Sequence, residues 1–284
     1  MSSNKLSHIV LLNIGTIVIT SAALLGKYMS LYPPFVIWSR ASIAALVLAI
    51  FIGIKNPNKL LPRFNDIELM ISGTLLCIHW VLFFFSVNLS TVAIAAISVF
   101  TYPIFTALLE PIIRGTALMR RHIVLGFVLL FGLYLVSPNL SFEDDMFLGA
   151  LCGLGSALAY ALRNISSKNL LGRYNSWHIM YYQVLITSVL LIPFSTHHEV
   201  ETIRDNIIPI LALGIFPTVI GHGLLVKSFK YFTTSRVSIL MGVQPIYTIL
   251  LGILLLGETI SSRVIMGGVL ILLTVYYELI QMKS

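Results

Sequence analysis

The sequence predicts an all-α multi-pass membrane protein, with ten transmembrane helices built as two inverted five-helix repeats around a central polar cavity. Composition is the first observation behind this. Of 284 residues, 57% are hydrophobic and 10% charged, with a mean hydropathy of +0.94, against about 25% charged residues in a soluble domain. Continuous apolar runs are the second, each close to the ~20 residues that cross a bilayer as a helix. A segment of the first half that returns five spans later is the third. Together they exclude a soluble enzyme, a secreted disulfide module and a disordered chain. The period-two alternation of an outer-membrane barrel is absent. Cys77 and Cys152 fall inside apolar runs, so no disulfide framework can be read and their pairing stays open.

The spans fall at 7–27, 34–54, 67–87, 92–113, 122–138, 147–168, 177–195, 207–229, 235–256 and 262–281. The first is too long for a signal-peptide core of about 7–15 residues and is expected to stay uncleaved. Loops are short, which leaves no room for a soluble domain. Alternate loops divide the cations. One set holds Lys5, Lys55, Lys59, Arg63, Arg114, Arg120, Arg121, Lys168, Arg173, Lys227, Lys230, Arg236 and Lys283; the other holds Lys27, Arg204 and Arg263. Thirteen against three places the first set, and both termini, in the cytoplasm. The net charge of +7 therefore signals topology, and no nucleic-acid partner is expected.

Tyr102-Pro-Ile-Phe-Thr-Ala-Leu-Leu109 resembles Gln244-Pro-Ile-Tyr-Thr-Ile-Leu-Leu251, 142 positions on, and the same offset pairs Ser86 with Ser228. Five is an odd number of crossings, so the second copy enters the membrane upside down. The units are 1–140 and 141–284. Inverted repeats are characteristic of secondary transporters, with the substrate site near the midplane between the halves.

Polar residues form stripes. Asn13, Thr16, Thr20 and Lys27 share one face of span one, as do Ser72, His79 and Ser86 of span three. Span six carries Ser156, Tyr160, Arg163 and Ser167, and span eight carries Thr218 and His222. Arg40, Tyr102, Gln183 and Gln244 stand in spans two, four, seven and nine, whereas spans five and ten have almost nothing polar inside. The stripes either line a cavity or serve as interhelical hydrogen-bonding glue. Arg40 either faces such a cavity or snorkels outward. Snorkelling or topology is expected of Arg163 and Lys168, close to the cytoplasmic end of span six. Pro103 and Pro245 are read as mid-span kinks that deprive the Val99 and Met241 carbonyls of donors, for motion or only for packing. Tyr247 follows Gln244 by three and is expected on its face.

Carboxylates within the spans are scarce: Glu110 sits toward the cytoplasmic end of span four, Glu258 at the outer end of span nine and Glu278 near the end of span ten. No zinc helix, Walker loop or nucleophile turn is present, so neither an enzyme, a cofactor nor a metal is expected. His197-His198 is read as a solvated outer-loop pair.

These residues resemble the drug/metabolite transporter superfamily, in its ten-helix EamA type. Trp-Ser-Arg40-Ala and Phe-Phe-Phe-Ser-Val-Asn-Leu-Ser90 with the Tyr-Pro motif resemble its first repeat. Gly221-His222-Gly223, Lys227-Ser-Phe-Lys230, Gln244-Pro-Ile-Tyr247 and Leu-Gly-Glu258 resemble its second. Thr116 stands where the family often has Glu after Gly115, which departs from the pattern. The resemblance implies alternating access in the inner (plasma) membrane and carriage of small metabolites, often amino acids and often outward. Arg40, His79, Trp80, Tyr102, Tyr160, His222, Gln244 and Tyr247 would then bind substrate or line the cavity, and Pro103 and Pro245 would let helices bend. A multidrug carrier, a sugar-phosphate or nucleotide-sugar carrier and a passive channel are the alternatives. The partners expected are a small-molecule substrate and the lipid bilayer; lipid or a second copy of the chain could meet spans five and ten.

Overall fold

The computed structural model describes residues 3–29, 31–55, 66–115, 124, 127–128, 131–132, 134–135, 141–196, 200–234, 237 and 240–281. Within them the helices are α1 Ser3–Met29, α2 Pro33–Lys55, α3 Ile67–Leu89, α4 Val92–Val99, α5 Tyr102–Arg114, α6 Asp145–Leu170, α7 Ser176–Leu190, α8 Val200–Asp205, α9 Ile207–Leu213, α10 Gly223–Ser228, α11 Gln244–Leu256 and α12 Ser262–Gln281. A π-helical stretch, Gly214–His222, joins α9 to α10. The protein is an all-α polytopic membrane protein. Among the described residues six helical runs, one of them interrupted at Phe100–Thr101, are long and apolar enough to cross a membrane, and Met241–Leu256 and Ser262–Thr274 are shorter apolar helices. The expected fifth span and the repeat boundary at 140 lie mostly outside the described residues, as do His197 and His198.

Side-chain caps set the helix starts. Asp66, Thr91, Asp144 and Asn175 each accept a backbone N–H from the first turn of α3, α4, α6 and α7, satisfying donors that the helix itself leaves orphaned. Gly115 and Gly257 end α5 and α11 at φ 68° and 65°, the left-handed conformation that glycine adopts without strain. They too are 142 positions apart.

The bundle is organised on an antiparallel pairing of α3 with α6. Ser166 Oγ donates to the Glu68 carbonyl at one end (3.4 Å), and His79 meets Ser156 at the middle. At the other end Gly149 touches Ser90: a Cβ on Gly149 would fall 2.6 Å from the Ser90 Cβ, and one on Gly153 2.5 Å from the Ser98 Cβ. In lipid, helices associate through close packing of small residues, and here glycine is the residue that fits.

Two lysines clasp the bundle at its opposite ends. Lys27 of α1 donates to the carbonyls of Val87 (2.8 Å) and Ser90 (2.7 Å), where α3 ends. Lys168 of α6 donates to those of Phe229 and, at 3.2 Å, Phe232, where α10 ends. The accepting carbonyls are again 142 positions apart. A cation at a helix C-terminus meets both orphan carbonyls and the negative end of the dipole. Lys168 thus points into a helix end, a correction to the expected snorkelling.

Pro103 and Pro245 also sit differently from expectation. Each occupies the first turn of a new helix, α5 or α11, and not a helix interior. There the missing N–H had no intrahelical acceptor to lose. The break lies just before them, at Phe100–Thr101 and at the 3₁₀ turn Met241–Val243, where the Gln244 N–H donates to the Met241 carbonyl.

Gly153→Val is expected to lower the apparent melting temperature in detergent, by the equivalent of about 1–3 kcal/mol of overpacking. Gly172→Ala, whose added Cβ would meet the Asn169 carbonyl at an ordinary 3.4 Å, should leave it unchanged.

Candidate functional site

A cavity with about 570 Å3 of atom-free space, its open mouth included, lies between α1, α2, α3, α4, the start of α5, α6, the π-helical stretch and α11. Arg40, His79, Trp80, Tyr102, Tyr160, His222, Gln244 and Pro245 line it, with Thr20, Phe83, Phe100 and Thr248. Tyr247 and Pro103 are not on this wall. Tyr247 is 38% exposed; the residue that joins Gln244 on the wall is Thr248, since a step of three stops about 60° short of a full turn on one side of Gln244 and a step of four passes it by about 40° on the other. No carboxylate is among the described lining residues. Among the described residues no group of three His, Cys, Asp or Glu could hold a metal ion.

Arg40 is the charge at this site. It lies two turns into α2 and is 1% exposed, so its side chain turns inward and does not snorkel. Its Nε donates to Thr218 Oγ1 at 2.9 Å, and its guanidinium carbon lies 4.1 Å above the Trp80 ring and 5.6 Å from that of Phe84. Stacking on desolvated aromatic faces is worth about 2 kcal/mol. Thr218 is placed by a local break. Pro217 has no N–H for the Leu213 carbonyl, the helix widens to π, and Thr218 Oγ1 donates to that carbonyl at 2.7 Å. The hydroxyl hydrogen is thereby committed, and its lone pair is left for Arg40. Sequence reasoning found Thr218 but missed the π turn; Pro217 four residues after Leu213 was the available signal.

Rings form the rest of the wall. His79 stacks on Tyr160 at 4.2 Å, and Tyr102 meets Tyr160 edge-on at 4.8 Å. Trp80 and His222 meet edge-on at 5.2 Å. His79 Nδ1 is held by Ser156 Oγ at 2.8 Å, and Ser156 Oγ donates to the His79 carbonyl at 2.9 Å. By contrast Arg40 Nη2, Trp80 Nε1 and His222 Nδ1 are buried without a hydrogen-bond partner among the described residues.

Arg163 corrects an expectation. It is fully buried and does not snorkel. Its Nε and Nη2 both donate to Gln183 Oε1 (3.2 Å from Nε), and Nη1 donates to Asn164 Oδ1 at 3.1 Å. Gln183 in turn donates to Ser72 and Ser167. This cluster joins α3, α6 and α7 beside the cavity and leaves Arg163 saturated by neutral oxygens. At the end of the bundle where Lys27 lies, Glu258 Oε1 accepts the Val92 N–H at 2.8 Å.

Fold and site define a multi-pass helical membrane protein with a polar, aromatic-walled cavity in its interior. Residues 147–278 match the model of the EamA-like transporter family. The chain is 26% identical over 187 residues to an uncharacterized transporter of Archaeoglobus fulgidus, covering 66% of this chain and 67% of that one. It is 22% identical over 238 residues to a pseudopaline exporter of Pseudomonas aeruginosa, covering 83% and 82%. A crystal structure shares the fold with a TM-score of 0.69 at 16% identity, across 98% of this chain and 99% of the other. The EamA-like match of the second half and the transporters among the relatives make the chain a membrane transporter.

Thr218→Val removes the acceptor of Arg40 Nε and the hydroxyl bond to the Leu213 carbonyl. It is expected to cost about 1.5–3 kcal/mol in detergent unfolding, the worth of a hydrogen bond to a charged group, whereas Thr218→Ser should restore most of that.

Proposed function

We propose that the chain is a secondary active exporter that carries small polar metabolites, of the amino-acid kind, across the cytoplasmic membrane by alternating access. One observation carries this: a buried cation, Arg40, on a cavity wall that contributes no carboxylate. An intramembrane charge is expensive, and one kept without an ionic partner at a cavity marks a substrate path. Tyr102, Tyr160 and Gln244 suit the remainder of a neutral or zwitterionic solute. Outward direction is supported by the exporter among the relatives. Both termini are placed in the cytoplasm by the thirteen-to-three division of cations.

The lysine clasps support the inverted repeats 1–140 and 141–284. Equivalent lysines grip equivalent carbonyls at opposite ends, so opening one end breaks one clasp and leaves the other. Pro103 and Pro245, each just past a helix break, are where segments bend. Lys27→Met and Lys168→Met are expected to shift labelling of a cavity cysteine by a membrane-impermeant maleimide several-fold, in opposite directions between the two membrane faces.

In proteoliposomes, a panel of labelled amino acids should include at least one with saturable flux. That flux should show counterflow with unlabelled solute and fall by about tenfold or more in Arg40→Ala, the loss expected for a charge-assisted contact. Flux that never saturates, or that survives Arg40→Ala, counts against the proposal.

A further inference from the structure

We propose that Arg40 Nη2, Trp80 Nε1 and His222 Nδ1 together form a subsite for one carboxylate of the transported solute. The inference rests on the exporter reading and narrows it to monoanionic carboxylates and zwitterions. These three atoms have no hydrogen-bond partner, yet all are buried and belong to side chains on one cavity wall. Arg40 lies over the Trp80 ring, and the Trp80 and His222 rings meet edge to face at 5.2 Å. An indole N–H and a guanidinium N–H can only donate, and His222 donates in its Nδ1–H tautomer. A cluster that only donates calls for an acceptor, and a carboxylate offers about four lone-pair sites.

Charge selects the carboxylate over a phosphate. Nε of Arg40 is spent on Thr218, and Arg163 is saturated by Gln183 and Asn164. Among the described lining residues Arg40 is therefore the cation with a donor to offer a ligand in direct contact, since Arg163 is off the wall. A carboxylate neutralises Arg40, whereas a phosphomonoester dianion would leave a net negative charge in a desolvated recess, which is costly. Neutral His79 does not join the set: Ser156 Oγ gives its hydrogen to the His79 carbonyl and so accepts from Nδ1–H, which leaves Nε2 able only to accept. Thr20, Gln244 and Thr248, also on the wall, are left for the solute's other polar groups.

The test is ligand-dependent thermal unfolding of the full chain in nanodiscs, because binding to the folded state alone raises the midpoint with ligand concentration. The probes are glycine, leucine, phenylalanine and glutamate, the amides leucinamide and phenylalaninamide, and glycerol 3-phosphate. At least one carboxylate is expected to raise the midpoint saturably at millimolar concentration, with its amide and the phosphomonoester inactive. Arg40→Gln should weaken that binding about tenfold or more, as loss of a charge-assisted hydrogen bond does. Should that variant fail to fold, Trp80→Phe keeps a ring beneath Arg40 and removes only the Nε1 donor, and His222→Phe removes the imidazole donor. Each should weaken the carboxylate several-fold. An amide that binds as well as its acid, a preference for glycerol 3-phosphate, full affinity in the variants, or no carboxylate binding would each overturn the subsite. Binding is read here without flux, so the two proposals fail separately. Carboxylate-selective binding with no transport removes the exporter, and transport indifferent to amidation removes the subsite.

Discussion

The buried guanidinium of Arg40, with bonding capacity left over, is the constraint around which the bundle is arranged. Burying a guanidinium is tolerable only if its donors and its charge are answered nearby. Here the answer is partial. Thr218 takes Nε, Trp80 and Phe84 offer ring faces, and Nη2 receives nothing. Arg163, one helix layer away, is the instructive contrast. Its donors end on Gln183 and Asn164, which are themselves anchored. Two arginines of equal burial thus do different work: Arg163 ties three helices together, and Arg40 holds bonding capacity in reserve at a cavity.

That reserve depends on backbone irregularities. The π turn at Pro217 presents Thr218, and the breaks before Pro103 and Pro245 bring Tyr102 and Gln244 to the wall. Irregular backbone at membrane depth is tolerated where it is buried in protein or lines a cavity, and here it does so. The regular part of the fold supplies rigidity. Gly149 and Gly153 press α6 against Ser90 and Ser98, and the lysine clasps fasten both ends. Each clasp holds a cation against carbonyl oxygens, a contact that water could replace if that end opened.

Membrane class, the positions of the long helices and most of the cavity wall were legible in the sequence. Apolar run length reports the first two directly, and in lipid a polar side chain at helical spacing has few places to go except inward. The misplacements have a common cause. Helical spacing says which residues share a face, but not where a helix restarts. Treating spans four and nine as unbroken turned Pro103 and Pro245 into interior kinks, although each opens a helix. Grouping Tyr247 with Gln244 by a step of three chose the wrong member of the turn, since Thr248 faces inward. Arg163 and Lys168 were assigned outward because distance from a span end was the available guide. Their partners, Gln183 on another helix and the Phe229 and Phe232 carbonyls in the next span pair, are tertiary facts that no local pattern encodes.

The measurement that tests the central claim most directly is two-sided accessibility of a single cysteine on the cavity wall. Ala96→Cys serves, with Cys77 and Cys152 replaced by serine, in oriented vesicles probed from each face by a membrane-impermeant maleimide. Trapped small ions report any open path. Alternating access predicts labelling from both faces with no ion leak, because each end opens only while the other is closed. Labelling from one face alone, or labelling from both accompanied by ion leak, would contradict it.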